Sequence, residues 1–231
     1  MTAPIAVALD GPDLVTIVGW ASAAGPHVST LKVGLETYLR DGAAAVHAVR
    51  QAAPDCALFL DLKLHDIPNT VAGGARSVAH LSPDYLTVHA SGGAAMIRAA
   101  VDALPETRIT AVTVLTSMSE SDLDAVGLRG PAIDAVRRLA ALAVGAGARA
   151  IVCSPQEVAA VRQEVGDAAV LITPGVRPDP AAGGDDQARV ATPEQALADG
   201  ADLLVIGRPI TAAADVEHAA RALAHRLSQS R

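Results

Sequence analysis

Short apolar runs recur along the chain, each four to eight residues long and rich in aliphatic or β-branched side chains. Each run is bounded by polar residues, glycine or proline, a pattern that is typical of buried strands. We therefore predict eight strands, over residues 5–10, 30–34, 57–63, 85–90, 109–116, 150–154, 169–175 and 203–208.

Alanine-rich amphipathic stretches separate these runs and predict helices. Ser154-Pro155 and Thr192-Pro193 each have the form of an N-cap followed by proline in the first helical turn, and Gly200 is expected to end a helix. Eight strands that alternate with helices, without a linker or a break in composition, predict a single (β/α)8 TIM barrel over residues 1–231. A doubly wound open sheet is the alternative, and the strand count ranks it second.

Composition agrees with a barrel covered on both faces. Hydrophobic residues make up 51% of the chain, yet it has one Trp, two Tyr and one Phe, so the core must consist of Ala, Val, Leu and Ile. The net charge of −7 argues against a nucleic-acid partner or a polybasic membrane surface. No signal peptide or membrane-spanning run is apparent, so we predict a cytoplasmic protein.

Polar side chains gather at the carboxyl ends of the predicted strands. In a barrel these ends open on one face, and that face carries the active site. Since side chains alternate along a strand, Asp61 and Lys63 should share the inward face while Leu60 and Leu62 point toward the helices. The same alternation predicts that Asp10 and Lys32 point into the barrel mouth, and His89, Thr116 and Arg208 also lie at or near the ends of their strands.

Opposite charges are packed tightly in the segment DLKLHDIPNT, residues 61–70. A solvated helix face is disfavoured by Pro68 and by the strand-like run before Asp61, and Pro68 is expected to keep the segment along the barrel mouth. A purely structural buried ion pair is disfavoured because desolvation offsets the attraction. An ammonium ~4 Å from a developing anion gains roughly 4 kcal/mol at an effective dielectric constant near 20. The group therefore suits the stabilisation and protonation of a carbanion.

Two glycine turns predict a phosphate site. Gly207-Arg208-Pro209 follows the eighth strand, and TPGVRP, which contains Pro174 and Arg177, follows the seventh. Barrel phosphate sites are commonly built from the loops after these two strands, and simple turn chemistry is the alternative. The patch PDPAAGGDDQ, residues 178–187, is predicted to be a loop after strand seven.

The run D-x-K-x-x-D-I-x-x-T, formed by Asp61, Lys63, Asp66, Ile67 and Thr70, resembles the signature of the orotidine 5′-phosphate decarboxylase family. The resemblance covers essentially the whole chain through the segments ALD, LKVG, LTSM, TPGVRP, DQARVATPEQAL and VIGRPIT. It implies decarboxylation of orotidine 5′-phosphate to uridine 5′-phosphate, the last step of UMP biosynthesis, without a cofactor or metal.

The resemblance also implies a role for each matching residue. Lys63 would stabilise the C6 carbanion and protonate it, and Asp61 would face the departing carboxylate. Asp66, Ile67 and Thr70 would enter the neighbouring site of a homodimer, so Lys32, Asp61, Lys63 and the partner subunit's Asp66 would form the catalytic group. Asp10 and Lys32 would bind the ribose, and Thr116 and Ser119 would contact the pyrimidine. The phosphate end of the substrate would be bound by Pro174, Arg177, Gln187, Gly207 and Arg208.

Two alternatives remain at this stage. A metal-dependent barrel acting on sugar phosphates, a decarboxylase or an aldolase, resembles the chain in the D-x-K-x-x-D core. The continuation IPNT and the segment DDQARV favour the nucleotide enzyme. A catalytically silent barrel that binds nucleotide phosphates is disfavoured by the intact set of Asp61, Lys63 and Asp66.

Overall fold

Eight parallel strands close into a barrel in the computed structural model, which describes residues 2–178 and 191–229. Each strand pairs with the next, and β1 pairs with β8. The strands are β1 (Ala3–Ala8), β2 (Val28–Gly34), β3 (Ala57–Leu64), β4 (Tyr85–His89), β5 (Arg108–Val112), β6 (Ala150–Val152), β7 (Val170–Thr173) and β8 (Leu203–Ile206). The predicted barrel is confirmed, and the open sheet is wrong.

Helices follow the strands and form the outer layer. They are α1 (Leu14–Ala24), α2 (Leu35–Asp41), α3 (Ala43–Ala52), α4 (Pro68–Ser77), α5 (Gly93–Ala103), α6 (Glu120–Ala125), α7 (Ala132–Gly145), α8 (Val158–Val165), α9 (Pro193–Ala198), α10 (Arg208–Thr211) and α11 (Val216–Gln229). Short 3₁₀ turns occupy Gly25–His27, Ala79–Leu81, Ala90–Gly92 and Gly166–Ala168. None of the helices within the described ranges is long and apolar enough to cross a membrane.

Several predicted strands are longer than the observed ones. β5 ends at Val112 and not at residue 116, and Asp10 and Arg208 lie beyond the ends of β1 and β8. The apolar pattern continues past the ends of the strands because the residues that follow them, Leu9 and Val114, are still buried. A run of hydrophobic residues indicates burial and not strand pairing, so a strand predicted from it is too long wherever a buried loop follows.

One of the two predicted helix starts is confirmed. The Thr192 side chain accepts a hydrogen bond from the Gln195 N–H, and Pro193 opens α9. The prediction for Ser154 is wrong, since α8 begins four residues later at Val158. The Ser154 N–H instead donates to the Glu157 carboxylate at 3.0 Å, so these residues form a turn before the helix.

The core has two layers, as the alternation along the strands predicts. Ile5, Val7 and Leu9 belong to the large cluster between the strands and the helices. Ala6 and Phe59 belong to a smaller cluster inside the barrel, together with Ala150, Ile172 and Leu203. This inner layer closes the barrel interior, and the polar side chains lie above it at the carboxyl ends of the strands.

Candidate active site

A cavity of about 560 Å³ opens at the carboxyl ends of the strands. Nine of the predicted site residues line it: Asp10, Lys32, Asp61, Lys63, Thr116, Pro174, Arg177, Gly207 and Arg208. The volume is in the range of small-molecule sites. The structure therefore brings the predicted charged group and both glycine turns to one cavity.

Four charged side chains form an alternating row in this cavity. Lys32 Nζ lies 3.2 Å from Asp10 Oδ2 and 3.3 Å from Asp61 Oδ2. Asp61 Oδ1 lies 2.8 Å from Lys63 Nζ. Asp61 thus separates the two ammonium groups, and Lys32 separates the two carboxylates, so each charge has an opposite neighbour.

Burial and charge compete for the pKa values of the central pair. Burial raises the pKa of Asp61, but Lys32, Lys63 and two hydrogen bonds outweigh it, and the pKa lies below its ordinary value. Burial lowers the pKa of Lys32, but Asp61 and Asp10 outweigh it, and this pKa lies above its ordinary value. Both shifts favour the ionised form, so at neutral pH Asp61 is an anion and Lys32 a cation.

The backbone at Lys63 is left-handed, with φ of 50°. For a residue other than glycine this conformation costs roughly 1–2 kcal/mol. Pairing between β3 and β4 is interrupted here, between Leu60 and Leu64. The Lys63 N–H donates instead to the Thr87 hydroxyl at 2.8 Å. Alternation of side chains along β3 predicted that Asp61 and Lys63 lie side by side, and this is confirmed. The backbone that brings them together is a bulge and not a regular strand.

The two glycine turns border the cavity from β7 and β8. Gly207 precedes the one-turn helix α10, in which Arg208 is the first residue. Gly175 has φ of 78°, a conformation that glycine adopts without strain. Arg177 is held through its backbone, whose N–H donates to the Ala191 carbonyl at 3.0 Å. Gln187 and most of the predicted loop at residues 178–187 lie outside the described residues.

Asp66, Ile67 and Thr70 do not line the cavity of their own chain. All three residues are exposed, and Ile67 is 67% exposed. The prediction that Pro68 keeps this segment out of a helix is wrong, because α4 begins at Pro68. Proline is compatible with the first helical position, where the missing N–H would have no partner inside the helix.

Ser119 is also absent from the cavity lining. It caps α6, where its side chain accepts a hydrogen bond from the Asp122 N–H and the Asp122 carboxylate accepts one from the Ser119 N–H. This reciprocal pair is a capping box. The spacing of serine and aspartate in SESD could have indicated it from the sequence.

Several cavity residues were not among the predicted site residues. Glu36, in the first turn of α2, lines the cavity two residues beyond the end of β2. Phe59 lies two residues before Asp61 on the same face of β3, so alternation along the strand could have identified it. Val112, Val152 and Val205 add apolar walls from three further strands.

His65 and His89 do not line the cavity, and the centroids of their imidazole rings lie 5.3 Å apart. Burial lowers the pKa of His89, and the neighbouring His65 and Lys63 lower it further. Across residues 2–178 and 191–229, no group of three or more His, Cys, Asp or Glu side chains is arranged to hold a metal ion. Cys56 and Cys153 are free thiols, and burial raises the pKa of Cys153 to about 12.

Comparison with known proteins gives one consistent family. Residues 3–223 match the model of the Orotidine 5′-phosphate decarboxylase / HUMPS family. A curated orotidine 5′-phosphate decarboxylase from Thermobifida fusca is 71% identical over 230 residues, covering 100% of this chain and 98% of the relative. One from Frankia casuarinae is 56% identical, covering 98% of this chain and 88% of the relative.

Solved structures agree with this result. The crystal structure of orotidine 5′-phosphate decarboxylase from Lactobacillus acidophilus superposes with a TM-score of 0.84 at 35% identity, covering 97% of this chain and 99% of that one. An uncharacterised conserved protein from Geobacillus kaustophilus gives a TM-score of 0.83 at 33% identity, covering 97% of this chain and 100% of the other. The similarity therefore extends over nearly the whole chain.

Proposed function

We propose that this chain, which belongs to the orotidine 5′-phosphate decarboxylase / HUMPS family, catalyses the decarboxylation of orotidine 5′-phosphate to uridine 5′-phosphate. The alternating row of Asp10, Lys32, Asp61 and Lys63 performs the reaction. The observation that carries this proposal is the 2.8 Å contact between Lys63 Nζ and Asp61 inside the cavity. It supports a cation held beside the reacting carbon and an anion beside the group that leaves.

Substrate binding begins at the end remote from the reaction. We assign the phosphate to Arg177, Gly207 and Arg208, and the ribose hydroxyls to Asp10 and Lys32; all five residues line the cavity. Pro174 and Thr116 border the remaining space, where the pyrimidine would lie. Guanidinium–phosphate contacts are strong and distant from C6, so their binding energy is available to hold the ring against the charged row.

Bond cleavage follows from the placement of Asp61. Its carboxylate would face the substrate carboxylate, so two anions are close together in the bound state. When the C6–carboxylate bond breaks, CO₂ departs, the electron pair stays on C6, and this repulsion ends. The carbanion then lies near the Lys63 ammonium, and an attraction of roughly 4 kcal/mol is expected at ~4 Å and an effective dielectric constant near 20.

Protonation completes the reaction. Lys63 Nζ donates a proton to C6, which gives uridine 5′-phosphate and a neutral amine that regains its proton from solvent. Contacts within the protein hold the charged row in place, because Lys32 and Asp61 are buried and contact each other at 3.3 Å. Fixed charges that need no reorganisation during the reaction are an effective means of transition-state stabilisation.

A direct assay tests the proposed reaction. Orotidine 5′-phosphate is added to the protein with an excess of chelator, and the loss of orotate-ring absorbance is followed. We expect full activity with the chelator present. Loss of activity that magnesium restores would favour a metal-dependent sugar-phosphate enzyme of the same family, and binding of the nucleotide without turnover would indicate a silent binding barrel.

We also propose that two chains share each active site in a homodimer. The exposed Asp66, Ile67 and Thr70 lie just beyond the charged row on β3 but do not line their own cavity. A charge and a large apolar side chain at the barrel mouth would be buried if a second copy received them. The cytoplasmic location stays a prediction.

Mixing two inactive variants tests the shared site. In a dimer of one Asp66→Asn chain and one Lys63→Ala chain, one site would carry both changes and the other neither. Random exchange puts about half the dimers in this state, so roughly a quarter of the parent activity should return if sites act independently. If subunit exchange is verified and activity does not return, Asp66 serves the site of its own chain.

A further inference from the structure

We propose that Thr87 is a positioning residue for the decarboxylation, in that its hydroxyl holds both the Lys63 backbone and the Asp61 carboxylate in the arrangement that the reaction needs. The inference rests on the proposed function and extends it to a residue that does not line the cavity. Thr87 lies on β4 and is fully buried, at 0% exposure.

The register between β3 and β4 singles out this position. Leu60 pairs with Leu86 and Leu64 pairs with Val88, so four steps along β3 are matched by two along β4. Thr87 is the β4 residue between those two pairs. Residues 61–63 therefore bulge out of the ladder opposite Thr87, and their backbone groups need other partners there.

The Thr87 hydroxyl replaces part of the missing ladder. It accepts a hydrogen bond from the Lys63 N–H at 2.8 Å and donates one to Asp61 Oδ1 at 3.0 Å. Asp61 Oδ1 also accepts from Lys63 Nζ at 2.8 Å. The three groups form a closed ring of contacts in which one hydroxyl fixes the main chain of the lysine and the side chain of the aspartate together.

This ring explains how Lys63 keeps a left-handed backbone. The conformation, at φ of 50°, is unfavourable for lysine, so some contact must hold it. Without the bond to Thr87 the bulge can relax toward a regular strand. The Lys63 ammonium and the Asp61 carboxylate would then move relative to the substrate, although neither residue has changed.

The test compares Thr87→Val with Thr110→Val. Valine keeps the branched shape and removes the hydroxyl. Thr110 is a matched control because it pairs with Thr87 across β4 and β5, is equally buried, and donates its hydroxyl to the Arg108 carbonyl. Thr87→Ser is the conservative variant, which keeps the hydroxyl and loses the methyl group.

We expect Thr87→Val to lower kcat by about 10²-fold, since displacement of reacting groups by about 1 Å has effects of this size. KM should change by less than about threefold, because the phosphate contacts remain. Thr87→Ser should recover most of kcat, and Thr110→Val should resemble the parent. The inference is overturned if Thr87→Val is as active as Thr110→Val, or if Thr87→Ser is as slow as Thr87→Val.

A second measurement does not depend on turnover. Amide hydrogen exchange at Lys63 should be slow in the parent and in Thr110→Val, and about tenfold or more faster in Thr87→Val, because the acceptor of that N–H is lost. Equal protection of the Lys63 amide in all three proteins would overturn the inference. Failure of the parent protein to decarboxylate the nucleotide would refute only the proposed function, and the exchange experiment would still test the role of Thr87. If Thr87→Val does not fold, Thr87→Ala removes the same hydroxyl without adding atoms and has the same expected results.

Discussion

Gly34→Ala should disable the charged row although no charged residue is replaced. A Cβ atom at Gly34 would lie 2.8 Å from Lys32 Nζ and closer still to an Asp10 carboxylate oxygen. The Gly34 backbone has φ of −95° and ψ of −175°, which any residue can adopt. The expected effect is therefore steric, and its nearest targets are the side chains of Asp10 and Lys32.

The size of the effect follows from the distances. Lys32 Nζ must move by about 0.2 to 0.6 Å for its separation from the new Cβ to reach the 3.0–3.4 Å of tight contacts. Lengthening the two ion pairs of Lys32, at 3.2 and 3.3 Å, by about 0.5 Å each loses roughly 1.4 kcal/mol at an effective dielectric constant of 20. The Asp10 side chain is 38% exposed, so solvent screening reduces its share.

Steady-state decarboxylation kinetics provide the assay. The electrostatic loss corresponds to a fall in kcat/KM of up to about tenfold, and misplacement of the ribose and of the reacting carbon can extend it to about 10²-fold. Gly19→Ala is the matched control, since Gly19 lies in α1 and, apart from its neighbours in that helix, no heavy atom of the described residues would lie within 4 Å of its Cβ. This control should keep its activity and gain about 1 kcal/mol of stability from helix propensity.

The reasoning is refuted if folded Gly34→Ala protein has kcat/KM within about threefold of the parent. That result would mean that Asp10 and Lys32 can retreat without loss, so their spacing does not matter for the reaction. Thermal unfolding must accompany the kinetics, because overpacking of this kind costs about 1–3 kcal/mol of stability.

Three further predictions concern single side chains of the cavity. Lys63→Ala should abolish decarboxylation while uridine 5′-phosphate still binds in a calorimetric titration; turnover within about tenfold of the parent would remove Lys63 as the proton donor. Arg208→Ala should raise KM strongly and lower kcat less. The control Arg221→Ala, at an exposed position on α11, should leave both unchanged. If KM of Arg208→Ala were unaltered, the phosphate would bind elsewhere. Asp61→Asn should lower the melting temperature at pH 7. The pKa of Asp61 in the folded protein lies below its ordinary value of 3.8, so the ionised carboxylate stabilises the fold above pH 3.8 and this stabilisation is lost as the pH falls below it. The melting temperatures of the parent and of Asp61→Asn should therefore converge in acid. A constant difference from pH 7 to pH 3 would contradict this assignment.

The strand pattern and the chemistry of the strand ends could be predicted from the sequence alone. Eight apolar runs, polar residues after each, and the two-residue period that turns Asp61 inward and Leu60 outward are local properties of the chain. In a barrel the carboxyl ends of all strands meet on one face, so local patterns were sufficient to bring Asp10, Lys32, Asp61 and Lys63 to one cavity.

The bulge at Lys63 was decided by tertiary structure. The left-handed backbone of Lys63 has no signal in the local sequence, because it depends on the register between β3 and β4, which shifts between Leu60 and Leu64. The role of Thr87 has the same origin, because its hydroxyl matters only through the register that puts it opposite Lys63. Sequence spacing predicts which face a residue occupies but not the offset between two strands far apart in the chain.

Helix starts and loop residues also required the three-dimensional structure. Pro68 and Pro155 both looked informative, yet Pro68 opens α4 while Pro155 lies in a turn three residues before α8. Glu36 reaches the cavity only because α2 begins directly at the barrel mouth. Apolar periodicity and strand-end polarity follow from burial, which each segment encodes by itself. Register, bulges and the paths of loops follow from the packing of segments against one another, and so only the folded barrel determines them.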